Sequence, residues 1–333
     1  MPPAARPAAS AEGRLPRAGT DGGGRGAHRR SRHRGRRRQA VSWWVIVNPS
    51  AGKGHAIRDR ARQALADAGV AAELREAEGP EHVSELVAEG IASGHTDFVA
   101  VGGDGTAHLV LNGLMEHGAG MVPTLAILPA GSGSDFIKTF GLPPSMEAAA
   151  GHLVTADRYP TDIGRIEGAF GTRYFLNAAN VGVAAESARM AARLPRWLGG
   201  VRYRVGFWLA LPRFGKDEVT VDTDHHHYRA PLLTVVIANG QFFGGGLNIA
   251  PRASVGDGLF DVQCFSGPRR AAFVVMPRVS RGGHLAHRTV RRFVGSEVSI
   301  VAPDSWPIEA DGEVIGGGSV RITVVPHAIQ FKI

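Results

Sequence analysis

Apolar and polar positions alternate between two periods over residues 42–129. Trp44–Val47 is a short apolar run closed by Asn48-Pro49, as expected of a strand buried on both faces. Residues 55–68 then place Ile57, Ala61, Ala64, Leu65 and Ala68 on one helical face, with Gly69 as the stop. A second helix follows Gly79-Pro80, with Val83, Leu86, Val87 and Ile91 inward and Gly94 at its end. Phe98–Val101 reads as a strand, 106–117 as a helix closed by Gly118, and Thr124–Leu128 as a strand again. Strands alternating with helices imply right-handed crossovers and a doubly wound α/β domain with a parallel sheet. After about residue 160 the pattern changes to short β-rich runs punctuated by Gly and Pro. These are Arg173–Leu176, Leu232–Ala238, Leu259–Phe265, Val298–Val301, Val320–Val325 and Ala328–Ile333. They predict an antiparallel, sandwich-like second domain.

Charge changes the picture at one end. The formal net charge is +8, but residues 1–40 hold 11 Arg against Glu12 and Asp21, so the rest is near neutral. That tail, rich in Pro, Gly, Ala and Arg, has too little apolar surface to fold, and it lacks the apolar run of a secretory signal. It reads as a solvated extension or as an electrostatic arm for anionic lipid or nucleic acid. Cys264 is the only cysteine, so no intrachain disulfide forms and a reducing compartment is expected. No stretch reaches the ~20 apolar residues that cross a bilayer.

Three glycine-bearing loops each follow a strand of the first domain: Asn48-Pro-Ser-Ala-Gly-Lys-Gly54, Gly102-Gly-Asp-Gly-Thr106 and Ala130-Gly-Ser-Gly-Ser-Asp135. Open α/β sheets bind ligands at the carboxyl ends of their strands, where all three must lie. Glycines let backbone N–H groups approach phosphate oxygens, and the helix after each loop offers its positive end. The first loop is not a Walker A sequence, because no Ser or Thr follows Lys53 in the required place. Asp104 is informative, because a carboxylate beside phosphates is repelled unless Mg²⁺ intervenes or it receives a proton from an attacking hydroxyl. Thr106 can cap the following helix or contact a phosphate. Far downstream, Asp311 and Glu313 flank Gly312 and could face one site across a turn; a solvated hairpin turn explains them equally well locally.

In this order these motifs resemble the diacylglycerol kinase catalytic-domain family, which includes bacterial diacylglycerol kinases, related lipid kinases and sphingosine kinases. Asn239-Gly-Gln-Phe-Phe-Gly-Gly-Gly246 and Ala253-Ser-Val-Gly-Asp-Gly-Leu-Phe-Asp261 strengthen the resemblance, which spans about residues 44–333. It implies a phosphofructokinase- and NAD-kinase-like first domain at 42–160, completed by a returning strand at 319–333, with a lipid-substrate domain at 161–318. It implies an ATP- and Mg²⁺-dependent transfer to a lipid hydroxyl, with diacylglycerol giving phosphatidic acid as the leading case. ATP would be held by Asn48, Pro49, Ser50, Gly52, Lys53 and Gly54, by Gly102, Gly103, Asp104, Gly105, Thr106 and His108, and by Gly131 and Ser132. Glu313 is the favoured base, with Asp311 beside it and Asp104 taking that role in some relatives. Mg²⁺ would sit at Ser254, Asp257 and Leu259, partly through carbonyl oxygens, with Asp162 tied to the metal network.

The chain departs from the family pattern at Ala107-His108-Leu109, where an apolar residue, Asn and Glu are usual, and at Ser134. Those changes bear on nucleotide or substrate preference. The competing readings are a soluble NAD-kinase- or phosphofructokinase-like enzyme and a non-catalytic lipid- or nucleotide-binding regulator. His225–His227 reads as an exposed loop, since consecutive histidines on a strand alternate faces. Residues 188–216 carry seven basic and no acidic residues interleaved with aromatics, which suits a membrane interface or a buried helix with a basic rim. The expected setting is cytoplasmic and peripheral to the membrane's inner face, without a specific nucleic-acid partner and compatible with a homodimer.

Overall fold

The computed structural model describes residues 42–49, 56–130, 134–195 and 198–333. The basic tail at 1–41, Ser50, Gly52, Lys53, Gly54, Gly131, Ser132, Arg196 and Trp197 lie outside the described residues.

The first domain opens β1 (Trp43–Val47), α1 (Ala56–Asp67), β2 (Ala72–Glu76), α2 (Pro80–Ala92), β3 (Asp97–Gly102), α3 (Asp104–His117) and β4 (Thr124–Pro129). All five residues of β1 and all six of β3 and β4 are buried, which is why these runs show no polar alternation. The strands pair in parallel, in the order β2-β1-β3-β4. The inward faces of α1 and α2 are those read from the 3.6-residue period, except that Ala68 and Ile91 are only partly buried. Gly90 lets α2 approach the sheet: a Cβ there would stand 2.8 Å from the Trp44 ring, whose Nε1–H donates to the Leu86 carbonyl. The short helices α4 (Phe136–Thr139) and α5 (Met146–His152) complete this half.

Beyond it run β5 (Arg158–Gly168), β6 (Gly171–Phe175), β7 (Ala178–Gly182), α6 (Val183–Ala192), α7 (Val201–Ala210), β8 (Asp217–Thr223), β9 (His226–Leu232) and β10 (Thr234–Ala238). They are followed by β11 (Phe242–Phe243), β12 (Leu247–Asn248), β13 (Phe260–Phe265), α8 (Ala272–Val279), β14 (Val290–Gly295), β15 (Glu297–Val301), β16 (Pro307–Ala310), β17 (Glu313–Gly317) and β18 (Val320–Lys332). A six-stranded antiparallel sheet, β14-β13-β10-β7-β16-β17, faces the antiparallel continuation of the first sheet. Between them lies one core of alternating inward residues, among them Phe175, Val181, Val235, Val262, Ile300, Ile308 and Ile322. The result is an α/β domain joined to an antiparallel β-sandwich.

One strand belongs to both halves. The start of β18 pairs antiparallel with β15 and β5 in the sandwich, while Gln330 and Phe331 pair in parallel with Thr124 and Leu125 of β4. The register shifts between Val325 and Ile329, and His327 there takes φ 49°. The Asp162 carboxylate holds this irregularity by accepting the His327 N–H at 2.8 Å.

The His225–His227 segment is an exposed hairpin turn running into β9. His227 Nδ1 meets Asp222 Oδ1 at 2.5 Å, and no group of three or more His, Cys, Asp or Glu able to hold a metal occurs among the described residues.

Candidate active site

β1, β3 and β4 end side by side at Val47, Gly102 and Pro129, so the chain leaves all three at one edge of the sheet. The Asn48 N–H donates to the Val101 carbonyl at 3.2 Å, its side-chain amide donates to Thr106 Oγ1 at 3.1 Å, and the Ala130 N–H donates to the Gly102 carbonyl at 3.0 Å. Thr106 stands inside the first turn of α3 and does not cap it, since the cap position is Gly103. Its hydroxyl packs over Gly102, where a Cβ would lie only 2.2 Å away. That approach is the physical reason for the first glycine of the loop.

Asp104, at the start of α3, ties this loop to the next. Its carboxylate accepts the Asp135 N–H at 2.7 Å and the Phe136 N–H at 3.2 Å. Desolvation, then repulsion from Asp135, pushes the Asp104 carboxyl up to about 7 against those two donors. Asp135 is in turn held by Lys138 Nζ at 2.6 Å and by the Gly245 N–H at 2.7 Å. In the sequence Asp135 stands out only as the last residue of a glycine block, and Lys138 does not stand out at all. The i, i+3 spacing of Asp135 and Lys138 was the available signal.

The Asp-Gly-Glu turn divides its two acids between separate tasks. Asp311, at φ 50°, is buried beneath the turn. It accepts N–H groups from Leu176 at 2.8 Å, Asn177 at 2.8 Å and Ala178 at 3.2 Å, and meets His108 Nδ1 at 3.2 Å. Every lone-pair direction of that carboxylate is therefore engaged by the fold. Glu313 is exposed, and its Oε1 hangs over the second glycine loop, 3.2 Å from where a Cβ on Gly105 would stand. Glu313 is thus the acid of the pair that is placed to exchange a proton with something bound over Gly105.

His108, expected at the nucleotide, is a buried residue of α3 whose Nδ1 meets Asp311. Asn112, one turn on, donates to the Tyr174 carbonyl at 2.9 Å and accepts the Tyr174 N–H at 2.9 Å, fastening α3 to β6. A further acid missed in the sequence, Glu309, is buried behind the turn. It accepts from Asn180 Nδ2 at 2.5 Å and from the Gly312 N–H. Burial pushes its carboxyl up to about 8, opposed by those two donors and reinforced by Asp311 and Glu313.

The residues expected at a metal lie in the 254–259 loop, where Asp162 holds the backbone. Asp162 accepts the Gly258 N–H at 2.7 Å, and its own N–H donates to the Val255 carbonyl at 2.7 Å. Asp257 accepts the Leu259 N–H at 3.1 Å. Its carboxyl is raised, first by desolvation and also by the charges of Asp162 and Asp261. Asp261 is already paired with Arg292 at 2.5 Å, so Asp257 is the acid of this loop left to meet a cation, and carboxylate, hydroxyl and carbonyl oxygens are the donors a hard divalent cation takes.

An apolar cavity of about 70 Å³ lies in the second domain between α6, α7, α8 and the sheet. Tyr203, Phe207, Phe243, Leu247 and Met276 line it. The turn between β11 and β12 joins this cavity to the glycine loops: Phe243 and Leu247 face the cavity, while Gly245 between them donates to Asp135.

This fold and site define a class: two-domain kinases whose glycine loops lie on an α/β domain and whose late acidic turn comes from a β-sandwich. Residues 42–166 match the diacylglycerol kinase catalytic domain, and residues 177–332 match the YegS C-terminal NAD kinase beta sandwich-like domain. The two matches follow one another along the chain, which thus carries a diacylglycerol kinase catalytic domain and, after it, a YegS-type C-terminal domain. Among its relatives is an Enterobacter sp. (strain 638) protein named "Probable lipid kinase YegS-like", 25% identical over 87% of this chain and 95% of that protein. A protein of the same name from Klebsiella pneumoniae (strain 342) is 28% identical over 71% of this chain and 77% of its own. A solved diacylglycerol kinase structure from Bacillus anthracis str. Sterne superposes with TM-score 0.65 at 19% identity, covering 88% of this chain and 96% of that one. A second structure from that organism gives TM-score 0.71 at 21% identity, with 88% and 97% covered. No helix among the described residues is long and apolar enough to cross a membrane.

Proposed function

We propose that the protein transfers the γ-phosphoryl group of ATP to the hydroxyl of a membrane lipid, with diacylglycerol as acceptor and phosphatidic acid as product. The observation that carries this reading is the β11–β12 turn, which places an apolar cavity and the Asp104–Asp135 loop junction at two ends of one short connection. At about 70 Å³ the apolar cavity suits the end of an acyl chain, and a headgroup hydroxyl would then fall on the side of the glycine loops.

In this scheme Asn48, Gly102, Gly103, Gly105 and Thr106 present the first-domain edge to the nucleotide phosphates. The acceptor oxygen forms a bond to the γ-phosphorus as the bridging P–O bond to ADP breaks, and Glu313 takes the hydroxyl proton. Asp311, His108 and Glu309 hold the turn that carries Glu313. Ser254, Asp257 and Leu259 would hold Mg²⁺, and Asp162 would fix their loop from behind; the cation supplies charge neutralisation for the phosphates. The setting that follows is the cytoplasmic face of a membrane, where ATP and lipid meet.

The test is a panel of diacylglycerol, monoacylglycerol and a long-chain amino alcohol in mixed micelles, with NAD and a hexose phosphate offered beside them, all with radiolabelled ATP and Mg²⁺. Label in phosphatidic acid, lost without Mg²⁺, is the expected result. Label in NAD or a sugar phosphate instead, with none in lipid, would overturn the proposal.

A further inference from the structure

Two stretches far apart in sequence share an uncommon charge pattern. Residues 187–216 and 262–296 each contain seven Arg or Lys residues and no Asp or Glu. The fold brings them together. Lys216 Nζ donates to the Ser266 carbonyl at 3.2 Å, Arg269 Nε donates to the Phe214 carbonyl at 2.8 Å, and the Trp208 and Phe273 rings meet with centroids 4.7 Å apart. Trp208 is on α7 and Phe273 on α8, and the two helices lie over the same apolar cavity. Phe207 and Ala272, their immediate neighbours in sequence, line it.

The outer face of this helix pair is apolar where solvent should favour polar groups. Phe273 is 68% exposed, and Trp208, Leu209 and Val274 beside it are exposed as well. Single exposed apolar residues are ordinary, but a contiguous aromatic and aliphatic patch marks a docking surface. Around the patch Arg204, Arg213, Arg270, Arg278 and Arg281 are exposed or on exposed turns. Arg213 and Arg278 donate to the carbonyls of Leu209 and Val274, partners that leave their positive charge uncompensated. An apolar centre within an arginine collar complements an anionic bilayer, in which phosphates lie above an apolar layer. A protein partner would need a matching apolar face ringed by acids; on this chain the acidic residues lie outside both stretches, which disfavours a second copy.

We infer that α7 and α8 form a membrane-inserting face, with Trp208, Leu209, Phe273 and Val274 entering the acyl layer of an anionic bilayer and the arginine collar binding lipid phosphates. The cavity lies beneath these two helices, so a chain end drawn from the bilayer would have only that layer to pass. This deepens the lipid-acceptor reading and rests on it only for what enters the cavity.

The experiment is flotation of the full chain with vesicles of phosphatidylcholine alone and with phosphatidylglycerol added, beside phosphorylation of a soluble short-chain diacylglycerol. Wild type is expected to float with the anionic vesicles and to be released by salt. Trp208→Ser with Phe273→Ser should weaken that binding by at least ~10-fold, and Arg270→Glu with Arg278→Glu by on the order of 100-fold. Both pairs should keep wild-type turnover of the soluble acceptor, which also shows that they fold. Flotation equal to wild type in both pairs, or wild type that does not float, overturns the inference. So does a wild-type dimer that the aromatic pair converts to monomer while vesicle binding is unchanged, since the face would then be a self-association surface. Vesicle binding that behaves as expected while no lipid is phosphorylated would support the face and sink the proposed reaction.

Discussion

Replacing each acid of the Asp-Gly-Glu turn by its amide should separate two roles that the motif runs together. Asp311 receives two donors on each oxygen: Leu176 N–H and His108 on one, Asn177 and Ala178 N–H on the other. In Asp311→Asn one of those positions becomes an NH₂ group, which faces donors whichever way the amide turns. One pair of contacts is lost and at least one buried N–H is stranded. Hydrogen bonds to charged groups are worth about 1.5–3 kcal/mol and a stranded donor costs about 1–3 kcal/mol, so the loss should be about 3–5 kcal/mol. For a folded region of this size that is a fall in Tm on the order of 10 °C. Glu313→Gln touches an exposed side chain, so Tm should stay within about a degree. Its kcat should fall ~10²–10⁴-fold with KM for ATP little changed, because the amide cannot accept a proton. Calorimetry on both variants and initial rates in mixed micelles decide the matter. An Asp311→Asn protein that melts with wild type would refute the buried-clamp argument. A Glu313→Gln protein within a few-fold of wild-type kcat would remove Glu313 as base and leave Asp104 as the next carboxylate to test.

Three further outcomes are expected. Gly105→Ala sets a methyl group 3.2 Å from Glu313 Oε1 and should lower kcat by pushing that carboxylate aside, with Tm nearly unchanged; equal turnover would mean Glu313 does not work over Gly105. Burial raises the Glu309 carboxyl to about 8, so between about pH 4.5 and 8 the folded state keeps a proton that the unfolded chain has released. Glu309 therefore costs stability as pH rises through that window, and urea midpoints of Glu309→Gln should depend less on pH than those of wild type; parallel curves would refute this. Removal of residues 1–40 should leave kcat on a soluble short-chain acceptor unchanged, and a collapse there would make the tail part of the site.

Much of the fold could be read in advance because burial leaves a periodic trace. The fully apolar runs of β1, β3 and β4 and the 3.6-residue faces of α1 and α2 each follow from local composition. Turn chemistry likewise marks where the glycine loops lie, since Gly102 is demanded by the Thr106 hydroxyl a single turn away. What escaped were relations between residues far apart. Nothing local to Asp311 signals three backbone donors from 176–178, and nothing local to His108 signals a partner 203 residues later. Glu309 reads as one more acid beside a turn until Asn180, from a different strand, closes over it.

The motif's shape has a physical cause. A base must be free on its working side, yet a mobile carboxylate spends little time in line with its target. The turn meets both needs by giving the two acids opposite environments two residues apart along the chain. Asp311 is buried and saturated with donors, which fixes the backbone, while Glu313 stands exposed over Gly105. Glu309 adds a second fixing point by accepting the N–H of Gly312, the residue between them. The Asp104 carboxylate does the corresponding work on the other domain, clasping the amides of Asp135 and Phe136 so that one glycine loop positions the next. Of the acids gathered here, the one with the fewest structural partners is Glu313, the residue proposed as the base.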